Sequence, residues 1–153
     1  MKLGVKDIAY VGIQFALFLA YLYDVPFLHF ILPNIIKEIF IVVSILGIGI
    51  VLFSMLQLNI HLSPFPSPKK GSKLIQNGLY KYVRHPIYTG ILITLFGYGL
   101  YTSSSYRLII SLTLLVLFYF KSRYEEARLQ RNFSDYKSYQ ENTGRFFPKI
   151  KIS

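Results

Sequence analysis

Four apolar stretches, Ile8 to Tyr23, Ile39 to Leu58, Ile87 to Tyr101 and Leu108 to Phe120, contain no acidic or basic residue, in a chain of only 153 residues. Runs of this kind suit a hydrocarbon solvent, where the backbone must satisfy its own hydrogen bonds as helix. The expected fold is therefore all-α: an integral membrane helical bundle of about four transmembrane helices with a cytosolic C-terminal helical extension. The spans are placed at about 8–23, 36–58, 87–101 and 106–120 of a single domain over 1–153. At about 1.5 Å per residue the second stretch reaches roughly 30 Å, the hydrocarbon thickness, whereas the third and fourth reach about 20 to 23 Å. Those two are expected to run past their apolar limits, with Arg107 and Lys121 snorkelling and Tyr101, Tyr106, Phe118, Tyr119 and Phe120 at the interface. Composition agrees, at 53% hydrophobic, 17% aromatic and a mean hydropathy of +0.43. A soluble helical hairpin does not account for four such segments.

The net charge of +10 raises the question of a nucleic-acid partner, and its distribution answers it. Lys2 and Lys6 precede the first span, Lys69, Lys70, Lys73, Lys81 and Arg84 lie between the second and third, and eight Lys or Arg residues follow the fourth. The connectors after spans one and three hold only Lys37 and Arg107. This is the positive-inside pattern, with both termini and the central loop cytosolic, in the cell membrane if the source is prokaryotic. The charge is topological and also suits anionic lipid head groups, so no nucleic-acid partner is expected. The chain has no cysteine, which removes disulfides, thiolate metal sites and cysteine nucleophiles from consideration. The basic start and apolar run at the N-terminus resemble a signal peptide, but Tyr21 to Val25 lacks a small-residue cleavage site, and the segment is read as a retained helix.

Between the first two spans Asp24, Pro26, Pro33 and Asn34 break the helical pattern, so a short external turn or re-entrant segment is expected there. Ser44 and Gly47, at i and i+3 in the second span, allow a close helix approach in lipid. His61 to Gly71, HLSPFPSPKKG, holds three prolines and reads as an extended cytosolic strap, followed by a turn at Asn77-Gly78. Thr102 to Ser105 is a short turn that makes spans three and four an antiparallel hairpin. After Phe120 the helical pattern continues, with Ser134 placed to end one helix and cap the next over Asp135 to Asn142.

The stretch YVRHPIYTG, residues 82–90, stands at the mouth of the third span. Proline is tolerated in the first turn of a helix and biases the residue before it toward extended backbone, so Pro86 starts the helix and His85 sits just outside. The first-turn N–H groups and the positive end of the helix dipole then face the cytosolic boundary, where they can receive a carboxylate or phosphate. Read alone, the stretch is equally a basic interfacial anchor. Glu125 and Glu126, about one turn past the fourth span, return to the same side by way of the hairpin. Helical spacing puts Lys121, Glu125, Arg128 and Leu129 near one face and turns Glu126 away by about 100°. A solvated helix with a Lys121 to Glu125 ion pair would explain that block by itself.

The two blocks together resemble a family. KLIQNGLYKYVRHPIYTG is similar to the first block of the isoprenylcysteine carboxyl methyltransferases and the related phospholipid N-methyltransferases, a hydrophobic pair, Gly-x-Tyr, then Arg-His-Pro-x-Tyr. EEARLQRNFSDYKSYQENTGRFFP resembles their second, an acidic pair, spaced Leu, Phe, Tyr and Tyr, and a terminal Arg-Phe-x-Pro. The resemblance covers about residues 57 to 150. It implies methylation that depends on S-adenosyl-L-methionine, with a cofactor region at about 61–90 and 121–150. Lys73, Leu74, Ile75 and Tyr80 would line the cofactor, His85, Pro86, Ile87 and Tyr88 would hold its methionine part, and Glu125 its amino or ribose end. Lys121, or Arg123 in its place, falls on the substrate side, with Glu126 a further candidate there. Ser134 stands where the family usually has glycine, and Gly144 where it often has proline, departures that touch the C-terminal joint.

A methyl donor with a sulfonium centre asks its enzyme mainly for positioning and exclusion of water, and no metal is expected. A carboxylate acceptor needs no base, only a cation such as Lys121, Arg123 or Arg145 to hold it; an amine needs one, with Glu126 or His85 the candidates. The implied partner is a membrane lipid or isoprenoid-bearing substrate in the bilayer, with carboxylate O-methylation favoured over phospholipid N-methylation. A sterol-reductase-like oxidoreductase would need many more helices. A non-enzymatic four-helix transporter or scaffold would normally carry a charge within a span, and these spans have none in their apolar stretches.

Overall fold

The computed structural model describes residues 4–58 and 74–149. The strap from His61 to Gly71 and Lys73 lie outside them. The described chain is all-helical: α1 Val5–Leu22, α2 Asn34–Leu58, α3 Pro86–Tyr101, α4 Ser105–Asn132 and the short α5 Tyr136–Asn142, with single 3-10 turns at Pro26–Leu28 and Gly78–Lys81. α1, α2 and α4 are long and apolar enough to cross a membrane, and α3 is a shorter apolar helix. The expected extension is found in α4, which runs on to Asn132, but not in α3. Pro86 sets one end of α3, and at the other Ser103 takes φ 53° in the turn to α4, so the helix stops at 16 residues.

The apolar residues of α2 are turned mostly outward, with Leu56 76% and Leu46 62% exposed. In water that would be untenable; in lipid it costs nothing, and helices associate instead through small residues. Ser44 and Gly47 of α2 do this against α3. Ser44 Oγ donates to the Thr94 carbonyl at 2.9 Å, and a Cβ on Gly47 would lie 2.6 Å from the Thr94 amide nitrogen and 2.9 Å from the Gly90 carbonyl oxygen. Gly47→Ala is therefore expected to push α2 and α3 apart and destabilise the bundle by about 2 kcal/mol. Thermal unfolding in detergent checks this, and an unchanged midpoint would refute the close-approach account.

α3 and α4 form the expected antiparallel hairpin around Leu92, Leu114, Phe118 and Phe146. α1 joins α4 at both ends: the Tyr106 hydroxyl donates to the Ala20 carbonyl at 3.1 Å, and Arg128 lies 3.6 Å from the buried carboxylate of Asp7. The break between α1 and α2 is the 3-10 turn with a short loop that pairs His29 against Ser104. Gly78 takes φ 57° at the expected turn, with the Gln57 amide packed where a side chain would sit and accepting from Leu79 N–H at 3.0 Å. Asp135, not Ser134, is the residue that precedes α5, and its side chain makes no capping bond.

Candidate active site

The site is built where the segment before α3, the continuation of α4 and the chain after α5 converge. Val83 and Gly144 form a parallel bridge, with Arg84 N–H donating to Gly144 O at 2.8 Å and His85 N–H to Arg145 O at 3.1 Å. This backbone pairing sets the Arg84-His85-Pro86 and Gly144-Arg145-Phe146 segments side by side. Pro86, buried at the first position of α3, holds His85 at the N-cap, yet the imidazole does not cap the helix. It turns to α4, with Nδ1 3.4 Å from Glu125 Oε2 and Nε2 3.1 Å from Glu126 Oε1. A ring with a carboxylate at each nitrogen is suited to the doubly protonated form.

Glu126 is the hub. Its side chain is 3% exposed and accepts from Arg84 Nε at 2.9 Å, Arg145 Nη2 at 2.7 Å and Gln140 Nε2 at 3.0 Å besides His85. Burial alone would raise its pKa, but the hydrogen bonds from His85 and Arg145, the His85 charge and the Arg84 bond outweigh it and hold the carboxyl far below the usual range. For His85 burial acts to lower the pKa, and the bonds and charges of Glu125 and Glu126 raise it above the ordinary imidazole value. Arg84 also donates to the carbonyls of Gln140 and Thr143, tying α5 and its exit to the cluster. The helical-wheel expectation that Glu126 points away is thus corrected: α4 is embraced by α3 on one side and the C-terminal segment on the other, and the imidazole bridges both carboxylates.

Glu125 is more open, at 14% exposure, and accepts from the Tyr88 hydroxyl at 2.5 Å. The Tyr88 ring stacks on Phe118 at 4.5 Å between centroids and on His85 at 5.5 Å, so it is held rigidly and offers the site its hydroxyl rather than its faces. Lys121 is buried, with Nζ 5.2 Å from the Tyr88 ring centroid and 2.7 Å from Gln14 Oε1. Arg123 is exposed and Arg145 partly so; their guanidinium carbons lie 5.9 and 5.1 Å from the exposed Tyr119 ring.

The structure thus brings His85, Tyr88, Lys121, Glu125 and Glu126 together. Tyr80 is buried behind them, its phenol pushed up by burial and by Tyr139 and Glu125 nearby, while Leu74, Ile75 and Ile87 are half-buried. Sequence reasoning left Arg145 as one of three alternative cations and missed Gln14, Gln140 and Phe146 in the site. The terminal Arg-Phe-x-Pro was a signal for Arg145 and Phe146; a lone glutamine within an apolar span was the signal for Gln14.

Beside the cluster runs an apolar groove of about 270 Å³, lined by Phe40 and Val43 of α2, one face of α3 that includes Thr89, Leu92, Phe96 and Leu100, Leu115 of α4 and the Phe146-Phe147 pair. Thr89 and Phe146 join groove to cluster: the Thr89 hydroxyl donates to the Phe146 carbonyl at 2.8 Å, and the Phe146 ring meets His85 edge-on at 6.1 Å. Among the described residues no group of three His, Asp or Glu side chains is placed to hold a metal ion.

Comparison with known proteins bears on this geometry in two ways. Over 87 residues the chain is 30% identical to the nickel-cobalt-cadmium resistance protein NccN of Alcaligenes xylosoxydans xylosoxydans, a match covering 56% of this chain and 41% of that protein. The chain accordingly spans less than half the length of that relative. The family model described as phospholipid methyltransferase matches residues 38–136, more than half the chain, from α2 through the His85, Glu125 and Glu126 positions to the start of α5. By that match, which takes in three of the helices and the His85, Glu125 and Glu126 positions, the chain belongs to the phospholipid methyltransferase family.

Proposed function

We propose that the protein methylates a lipid-like or isoprenoid acceptor with S-adenosyl-L-methionine as donor, at the cytosolic boundary of the membrane, and that the acceptor group is a carboxylate. The donor set fits such a cofactor. Glu125 keeps an open carboxylate edge suited to an ammonium or a ribose hydroxyl, and Arg145 presents a partly open guanidinium suited to a carboxylate. Bound there, S-adenosyl-L-methionine would supply an electrophilic methyl group on a cationic sulfur. The protein's own part is positioning: Tyr88 aims Glu125, the Glu126 hub fixes His85 and Arg145, and Phe146 with the Phe118-Tyr88 stack keeps water from the inner side. The groove that opens from Thr89 and Phe146 is long and apolar enough for an acyl or prenyl chain to stay in the membrane.

The observation that favours a carboxylate over an amine is the state of the two candidate bases. Against the effect of burial, the imidazole and two guanidinium groups hold the Glu126 carboxyl far below the usual range, and the two carboxylates beside His85 raise its pKa above the ordinary imidazole value. Neither is poised to take a proton from an ammonium near neutral pH, whereas a carboxylate acceptor requires no proton removal. The test is transfer of a tritiated methyl group by nanodisc-embedded protein to a prenyl or long-chain carboxylate, against phosphatidylethanolamine. Label in a base-labile methyl ester is expected. Label in phosphatidylethanolamine that resists base would instead establish N-methylation.

A further inference from the structure

Gln14 sits in α1 between Ile13 and Phe15, which are 50% and 56% exposed and face lipid. A carboxamide facing hydrocarbon would lose its hydrogen bonds at a cost of several kcal/mol, so a glutamine in such a helix is turned toward a partner. The partner is Lys121 of α4, 107 positions away, whose Nζ donates to Gln14 Oε1 at 2.7 Å. An ammonium only donates, so the amide oxygen is the atom that faces it. Lys121 is 1% exposed and lies over the Tyr88 ring, and Tyr88 donates to Glu125. An unbroken chain of contacts thus runs from the first helix, through a buried cation and an aromatic ring, to the one open carboxylate of the site.

We infer that Gln14 is a positioning residue: it holds the Lys121 ammonium beneath Tyr88 so that the Tyr88 hydroxyl and Glu125 stay aimed at the cofactor. The family match begins at residue 38, so α1 contributes this element from outside the matched region. A buried ammonium must keep its partners or be neutralised. Over the face of Tyr88 its charge is attracted to the ring and draws electron density from the phenol, which strengthens the phenol as a donor to Glu125. Without the amide oxygen, Lys121 loses an acceptor on its α1 side, and both effects weaken.

This inference rests on the proposed cofactor site, and the test separates the two. S-adenosylhomocysteine binding is measured by calorimetry on the full chain in nanodiscs. Gln14→Leu is expected to weaken binding about tenfold, the scale of one hydrogen bond to a buried charge, while Gln14→Glu, which keeps an acceptor oxygen, stays within about threefold of the parent. In a Lys121→Met background, Gln14→Leu is expected to add less than about twofold, because the two act through one contact. Phe15→Leu, lipid-facing on the same helix, controls for disturbance of α1 and should bind as the parent does. Unaltered binding by Gln14→Leu, failure of Gln14→Glu to rescue, or an equal loss in the Lys121→Met background would overturn the positioning role while leaving the cofactor site standing. A folded parent protein that binds no S-adenosylhomocysteine would instead remove the cofactor site, and this role with it.

Discussion

Glu126→Ala is expected to destabilise the protein by about 3 to 5 kcal/mol, the largest effect of any single substitution in the cluster. The reason is what the carboxylate leaves behind. Arg84 at 7% exposure and Arg145 at 22% both direct guanidinium groups at it, and His85 adds a third positive charge. Removing the hub leaves these cations buried together with their common counter-charge gone. The damage should be local first, because the same carboxylate fastens Gln140 of α5 and, through Arg84, the Thr143 carbonyl. Hydrogen exchange over residues 133–149 should accelerate well before α2 and α3 separate. Glu126→Gln, which keeps one acceptor oxygen, should fall between the parent and the alanine variant. Acid provides an independent check. Because the folded-state pKa of Glu126 lies below the ordinary value, its contribution is complete above about pH 4.3 and is lost as pH falls toward the folded value. The alanine variant should lack that part of the acid limb. Equal stability of parent and Glu126→Ala would show that the ion pairs contribute nothing net.

The helices were legible because their cause is simple. An uncharged apolar run has few alternatives to helix in lipid, and Pro86 and the Thr102 to Ser105 turn punctuate the pattern for steric reasons that act locally. The length of α3 was misjudged because a short span was assumed to need the full hydrocarbon thickness, whereas α3 is packed along α2 by Gly47, Gly90 and Thr94 and ends where its turn residues require. The meeting of His85 with Glu125 was legible from the hairpin, which must bring the start of α3 and the continuation of α4 to one side. The orientation of Glu126 was not, since a helical wheel of α4 alone contains no information about the Gly144 to Phe146 segment that pairs with Arg84 and His85. Gln14 was hidden for a similar reason: its partner is on another helix, and nothing local in α1 marks it beyond its polarity.

We propose that His85 and Glu125 form the seat of the methyl donor. His85→Ala removes the imidazole that bridges the carboxylates and stacks on Tyr88, and Glu125→Ala removes the one open carboxylate. Each is expected to weaken S-adenosylhomocysteine binding at least about a hundredfold, the scale of a lost charged hydrogen bond together with the disorder it leaves in the site. The most direct measurement is calorimetric titration of S-adenosylhomocysteine into the purified protein and these two variants, with unfolding midpoints recorded alongside to confirm folded samples. Micromolar binding by the parent, abolished in both folded variants, is the predicted result. A well-folded parent that binds no S-adenosylhomocysteine, or variants that bind it as tightly as the parent, would contradict the account and leave the His85 segment an interfacial anchor.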